Sequence, residues 1–181
     1  MAVTKHTLVA LVEDKPGVLN RVASLFRRRG FNIDSIAVGH SETPDLSRMT
    51  IVVNGTSSTV EQVRKQLDKV IDVVRVSDIT EEAIVARELA LIKVKATSTT
   101  RSDIMQIVDI FRANIVDVAA DSLTIEVTGD EDKIDSLFNL LRGFGIKELA
   151  RTGRIALIRG GAAPLPVEKE VSEANTRKKK A

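Results

Sequence analysis

The apolar residues of this chain are spaced so that one order of elements is written out twice. Over 6–12 they run almost unbroken, as in a strand, and Glu13-Asp14-Lys15-Pro16-Gly17 then supplies a turn with proline just ahead of a helix start. Val18, Leu19, Val22, Leu25 and Phe26 fall on one helical face, which stops at Gly30 as a C-cap. Strands are expected over 31–38 and 48–53, separated by the polar, proline-containing stretch 39–47. Ser58-Thr59-Val60-Glu61 reads as a capping box and opens a helix with Val60, Val63, Leu67 and Val70 on its apolar side. A strand over 72–79 completes the order β-α-β-β-α-β, the ferredoxin-like unit.

From Arg87 the order repeats. A strand over 89–96 leads to a helix carrying Ile104, Ile107, Val108 and Phe111, then to strands over 114–118 and 123–127. A helix with Ile134, Leu137, Phe138 and Leu141 follows, ahead of one strand within 146–158. Phe26-Arg27 with Asn32-Ile33-Asp34 is echoed by Phe111-Arg112 with Asn114-Ile115 at the same helix-to-strand step. The fold class expected is α+β, two tandem ferredoxin-like βαββαβ units, as domains 1–80 and 81–160 followed by a disordered basic tail over 161–181.

Charge and composition narrow the function. Of 181 residues 43% are hydrophobic, enough for packed cores, and there is no cysteine to form a disulfide or a thiolate site. The net charge of +2 is a property of the tail: from Arg159 onward six Lys/Arg oppose three Glu, which leaves the preceding body slightly acidic. Without a basic stripe or an aromatic platform, no nucleic-acid partner is expected. No apolar run approaches the roughly 20 residues of a membrane span, so a cytoplasmic chain with no membrane partner is expected. His6 and His40 are the only histidines and have no third ligand at a recognisable spacing, so no metal site is expected. Gly17 stands alone and Gly143-Phe144-Gly145 lacks the spacing of a phosphate loop or dinucleotide fingerprint. No catalytic residue is assigned.

The two sheets differ in their faces. Leu123-Thr124-Ile125-Glu126-Val127-Thr128 alternates as a half-wet strand does, whereas Leu8 to Val12 and Ile51-Val52-Val53 are apolar on both sides. A second cover is therefore expected for the first sheet, with a homodimer as the default.

The turn Asp14 to Gly17 is the most informative segment. A glycine lets backbone approach a ligand, and the following helix start offers free N–H groups and a dipole to a carboxylate. Asn32, one residue ahead of a strand, supplies both a donor and an acceptor. These groups suit the charged ends of a free amino acid, and equally an ordinary turn and an ordinary strand entry.

The run LVEDKPGVLNRVASLFRRRGFNI, residues 11–33, resembles the ACT-domain pattern of small-molecule sensors. The stretches SRMTIVV (47–53), KQLDKVIDVVRV (65–76), RELALIKV (87–94), FRANIVDVAADSLTIEVTG (111–129) and GIKELARTGRIALIRG (145–160) narrow the likeness to the small regulatory subunits of acetolactate synthase, also called acetohydroxyacid synthase. That resemblance implies a partner, a large catalytic subunit using thiamine diphosphate, magnesium and FAD, with no cofactor on this chain. It implies activation of that subunit and feedback inhibition by a branched-chain amino acid, usually valine. Carried over by position, Asp14, Pro16, Gly17, Val18 and Leu19 would bind the effector between two first domains, with Asn32 and Ile33 of the neighbouring chain completing the pocket. Relatives often have Asn at the position of Asp14, whose carboxylate accepts from an ammonium but repels a carboxylate. The alternatives are a free-standing sensor acting on a transcription factor or transporter, and a small ferredoxin-like enzyme.

Overall fold

The computed structural model describes residues 4–161; the tail expected beyond them lies outside the described residues. The first unit consists of β1 (Thr4–Glu13), α1 (Val18–Arg29), β2 (Ile33–His40), β3 (Leu46–Gly55), α2 (Ser57–Leu67) and β4 (Val73–Asp78). Its sheet runs in the order β2-β3-β1-β4, every pair antiparallel, so the two segments that follow a helix lie at the edges. One face is buried by the helices: Leu8, Ala10 and Val12 of β1 and Met49, Ile51 and Val53 of β3 form a single core with Val22 and Phe26 of α1 and Val60, Val63 and Leu67 of α2. The apolar stripe on each helix thus meets the inward residues of the two central strands.

The helix ends follow local chemistry. Gly30 takes φ 70°, and its amide and that of Phe31 close the last turn of α1 onto the carbonyls of Arg27 and Phe26. The capping box placed at Ser58 is corrected by the structure. The cap and the start of α2 lie two residues earlier, at Thr56 and Ser57, and the extended Thr56 caps the helix by accepting from the Thr59 amide at 3.3 Å. Glu61 is thereby inside the helix, where its carboxylate is gripped by Arg64 through Nε and Nη2 at 2.7 and 2.8 Å.

The second face of this sheet needs no partner chain for its cover. Val9, Leu11 and Val52, on that face, are buried in the single chain. Part of the cover comes from the far end of the sequence: Ala156 is buried, and its carbonyl accepts from Nη2 of Arg48 at 3.1 Å. Burial holds the Arg48 guanidinium below its ordinary pKa, which makes that acceptor valuable.

The second unit repeats the first with β5 (Ile84–Lys95), α3 (Arg101–Ile110), β6 (Asn114–Val118), β7 (Ser122–Gly129), α4 (Glu131–Arg142) and β8 (Ile146–Arg151), in the sheet order β6-β7-β5-β8. Ile92 and Val94 of β5 and Ile125 of β7 pack against Ile104 and Val108 of α3 and Ile134, Leu137 and Leu141 of α4. Arg151 holds the nearly buried Glu88 by two hydrogen bonds at 2.8 and 2.7 Å and reaches Asp135 at 2.7 Å, which secures β8 to β5 and α4.

The single strand expected within 146–158 is two. Gly153 adopts φ 79° and breaks the run, and β9 (Ile155–Ile158) then pairs with β5. The Arg159 amide donates to the carbonyl of Ala83 at 2.7 Å. Residues 156–161 accordingly group with the first compact unit, which runs to Val85, while Ala86–Ile155 forms the other. None of the helices among the described residues is long and apolar enough to cross a membrane.

Candidate functional site

Where β1 stops, the backbone is pinned on both sides. The Glu13 amide donates to Asp72 and the Asp14 amide to Asp45, each at 2.8 Å, so the loop is held between the start of β4 and the β2–β3 hairpin. Lys15 folds back on Glu13, Nζ to Oε2 at 2.8 Å, and that carboxylate raises the lysine pKa. Gly17 then takes φ 90° and ψ −10°, a conformation that L side chains rarely adopt. A Cβ built there meets nothing within 4 Å, so the space in front of the turn is open.

Behind that space stands a bare helix start. α1 has no side-chain N-cap and no acid in its first turn; the Val18 amide donates back to the Lys15 carbonyl at 3.4 Å, and the first helical bond is Arg21 N–H to the Gly17 carbonyl at 3.0 Å. The amides of Leu19 and Asn20 precede that bond and lack an intrahelical acceptor, at the positive end of the helix dipole. Two of the other helix starts are filled, whereas Thr100 ahead of α3 makes no side-chain cap bond. Thr56 caps α2, Asp130 caps α4 by accepting from Lys133 at 2.9 Å, and Thr97 and Thr100 bond each other's amides in the loop before α3. The β5–α3 loop, which is the counterpart of Asp14 to Gly17 in the second unit, is tied to itself by these hydroxyls, and the helix after it carries Asp103 in its first turn.

The candidate residues fall into two groups. Asp14, Pro16, Gly17 and the half-exposed Leu19 surround the helix start, while the side chain of Val18 turns into the core and leaves only its backbone to the loop. Asn32 is exposed beyond the other end of α1, and Ile33 opens β2 opposite Val53 and packs on the core. α1 has 12 residues, and at 1.5 Å per residue its ends stand roughly 18 Å apart. One chain does not bring the two groups together, and a free amino acid cannot span them.

The structure adds two residues that the sequence does not connect with this loop. His40, at the end of β2, places Nδ1 3.2 Å from Oδ2 of Asp14, and Asp45, at φ 61°, supplies the carbonyl that holds the Asp14 amide. Both lie across a hairpin from the loop, and no spacing within the sequence announces the contact.

Comparison with known proteins bears on both units. A family model described as the AHAS small subunit-like ACT domain matches residues 8–75, and one described as the small subunit of acetolactate synthase matches 87–160. A probable acetolactate synthase small subunit of Archaeoglobus fulgidus is 60% identical over 156 residues, which are 86% of this chain and 98% of that protein. The chain belongs to the acetolactate synthase small-subunit family. The acetolactate synthase small subunit of Mycobacterium bovis is 52% identical over 160 residues, covering 88% of this chain and 95% of its own. The crystal structure of the acetolactate synthase small subunit from Thermotoga maritima superposes with a TM-score of 0.80 at 45% identity, covering 88% of this chain and 99% of that one. Within this small-subunit frame the bare start of α1, with no acid in its first turn, lies inside the ACT match, and the start of α3, with Asp103 in its first turn, lies inside the other.

Proposed function

We propose that this chain is the regulatory subunit of an acetolactate synthase, and that it binds and activates a large catalytic subunit carrying thiamine diphosphate, magnesium and FAD. In this reading it also confers feedback inhibition by a branched-chain amino acid, valine foremost, in cytoplasmic synthesis of valine, leucine and isoleucine. The observation that carries the effector half is the uncapped helix start behind Gly17, inside the ACT match and beside the Asp14 carboxylate.

The chemistry is that of recognising a zwitterion. The effector carboxylate takes the free amides at the start of α1, where the dipole favours an anion. Its ammonium is held by Asp14, and its aliphatic side chain lies on Leu19. Asn32 and Ile33 stand roughly 18 Å away along α1, so they serve the pocket of a neighbouring chain, and the site is complete only in a dimer. A ligand that bridges two chains favours one dimer arrangement over others, which is the differential affinity that a feedback switch needs. The test is reconstitution with the catalytic subunit, assayed with and without valine. Stimulation that valine reverses supports the reading; a purified chain that neither stimulates that enzyme nor binds valine refutes it.

A further inference from the structure

We infer that the outer face of α1, together with the turn between α2 and β4, is the surface on which an acidic segment of the catalytic subunit docks, with an apolar side chain between its carboxylates. This rests on the reading above, that such a partner exists, and adds where and by what chemistry it is held.

The surface is an open concavity of about 680 Å³ in the first unit. Arg21, Ser24, Arg27 and Arg28 line it from successive turns of α1, and Val70 and Ile71 line it from the turn ahead of β4. Arg21 is committed to Asp72. Arg27 and Arg28 are exposed, and among the described residues neither guanidinium has a hydrogen bond or ion pair. Arg29, equally unpaired, sits beside Leu25 and Gln66 in an adjoining depression that shares Arg28. The dipole at the end of α1 offers only about half a negative charge, and the terminal carbonyls there are already taken by Gly30 and Phe31. The patch therefore stays strongly positive.

Charge alone leaves Ile71 unexplained. It is 65% exposed in the same concavity, where an aliphatic surface beside guanidinium groups matches a peptide with a hydrophobic residue flanked by Asp or Glu. A nucleic acid fits less well, because no aromatic side chain lines the concavity to stack on a base. A second copy of this chain fits badly too. A two-fold interface sets a patch against itself, and here that places arginines against arginines.

The full-length chain is titrated against the catalytic subunit by calorimetry at low and high salt, as wild type, as Arg27→Glu/Arg28→Glu and as Ile71→Ser. Circular dichroism and valine binding serve as controls. The expected result is that wild-type binding weakens with salt and the double charge reversal binds about tenfold weaker or worse at low salt, with a flatter salt response. Ile71→Ser should bind several-fold weaker with the wild-type salt response, and valine affinity should be unchanged in both variants. Variants that are folded and bind the catalytic subunit as tightly as wild type overturn the assignment. So does light scattering in which the charge reversal dissociates a dimer of this chain, which would make the surface an interface between copies. Failure of the wild type to bind the catalytic subunit at all would instead remove the functional reading, and this surface with it.

Discussion

The imidazole of His40 and the carboxylate of Asp14 face each other at 3.2 Å, so the tip of β2 and the loop ahead of α1 share one side-chain contact. In the proposed pocket the Asp14 carboxylate attracts the effector ammonium and repels its carboxylate. His40 Nδ1 lies within hydrogen-bonding reach of the Asp14 carboxylate and orients it. Removal of the imidazole by His40→Ala should weaken valine binding a few-fold, since an exposed pair of this kind is worth about 1 kcal/mol or less. With Asp14→Asn in place the His40 substitution should have no further effect, because the pair is already broken. Calorimetric titration of valine into the two single variants and the double variant measures the coupling; fully additive effects would show that the pair does not act on the ligand.

Gly17→Asp should abolish valine inhibition and leave activation largely intact. The fold should survive, because the new Cβ meets no atom within 4 Å and the left-handed backbone costs about 1–2 kcal/mol with a side chain. The added carboxylate, however, occupies the ground in front of the free amides and repels a second anion. Losing one charge-assisted hydrogen bond of about 1.5–3 kcal/mol weakens binding by tenfold or more. Asn32→Ala should act in the same direction and more mildly. Valine titration of the reconstituted enzyme is the measurement, and unchanged inhibition by a folded Gly17→Asp variant would place the effector elsewhere.

Ending the chain at Gly153 should destabilise the first unit, although the deletion lies at the opposite end of the sequence. Arg48 then loses the Ala156 carbonyl while still partly buried, at a cost of about 1–3 kcal/mol. Arg48→Met in the truncated chain should recover part of the loss, since no charge remains to be satisfied. With no Trp or Tyr in the sequence, urea unfolding is best followed by far-ultraviolet circular dichroism.

Acid should weaken α2. Arg64 holds the Glu61 carboxyl down to about 2 from the ordinary 4.5. A depressed folded-state pKa means that this stabilisation is present above pH 4.5 and is lost as the pH falls from there towards 2. The pair is exposed and its effect is small. Glu61→Gln should flatten the stability profile in that window, as read by urea midpoints across the pH range. A profile identical to wild type would show that the pair contributes nothing.

The element order is legible in the sequence because each helix carries one apolar stripe and each sheet needs it. Gly30 and the Pro16-Gly17 turn likewise announce the ends of α1 by local chemistry. Where several hydroxyls compete, sequence fails to choose: Thr56, Ser58 and Thr59 can all cap, and only the extended backbone of Thr56 decides it. The two-faced apolar character of β1 is plain, but its cover is a matter of tertiary structure, and part of it is Ala156. The split of the last strand has a signal in Thr152-Gly153-Arg154, whereas the partner of β9 is set by the first residues of β5, far off in sequence. His40 beside Asp14 is invisible for the same reason: strand register, and not spacing, makes them neighbours.

The return of Ala156 to the first unit also has a consequence in time. On the ribosome the sheet of the first unit is synthesised early, yet the residue that accepts from Arg48 is made only after Ala86–Ile155. At about 5–20 residues per second that is a delay of several seconds. During it, a nascent chain with a finished helical face keeps an unfinished opposite face. A newly made subunit therefore gains its most durable form only after Ala156 has been made and can meet what the beginning left open.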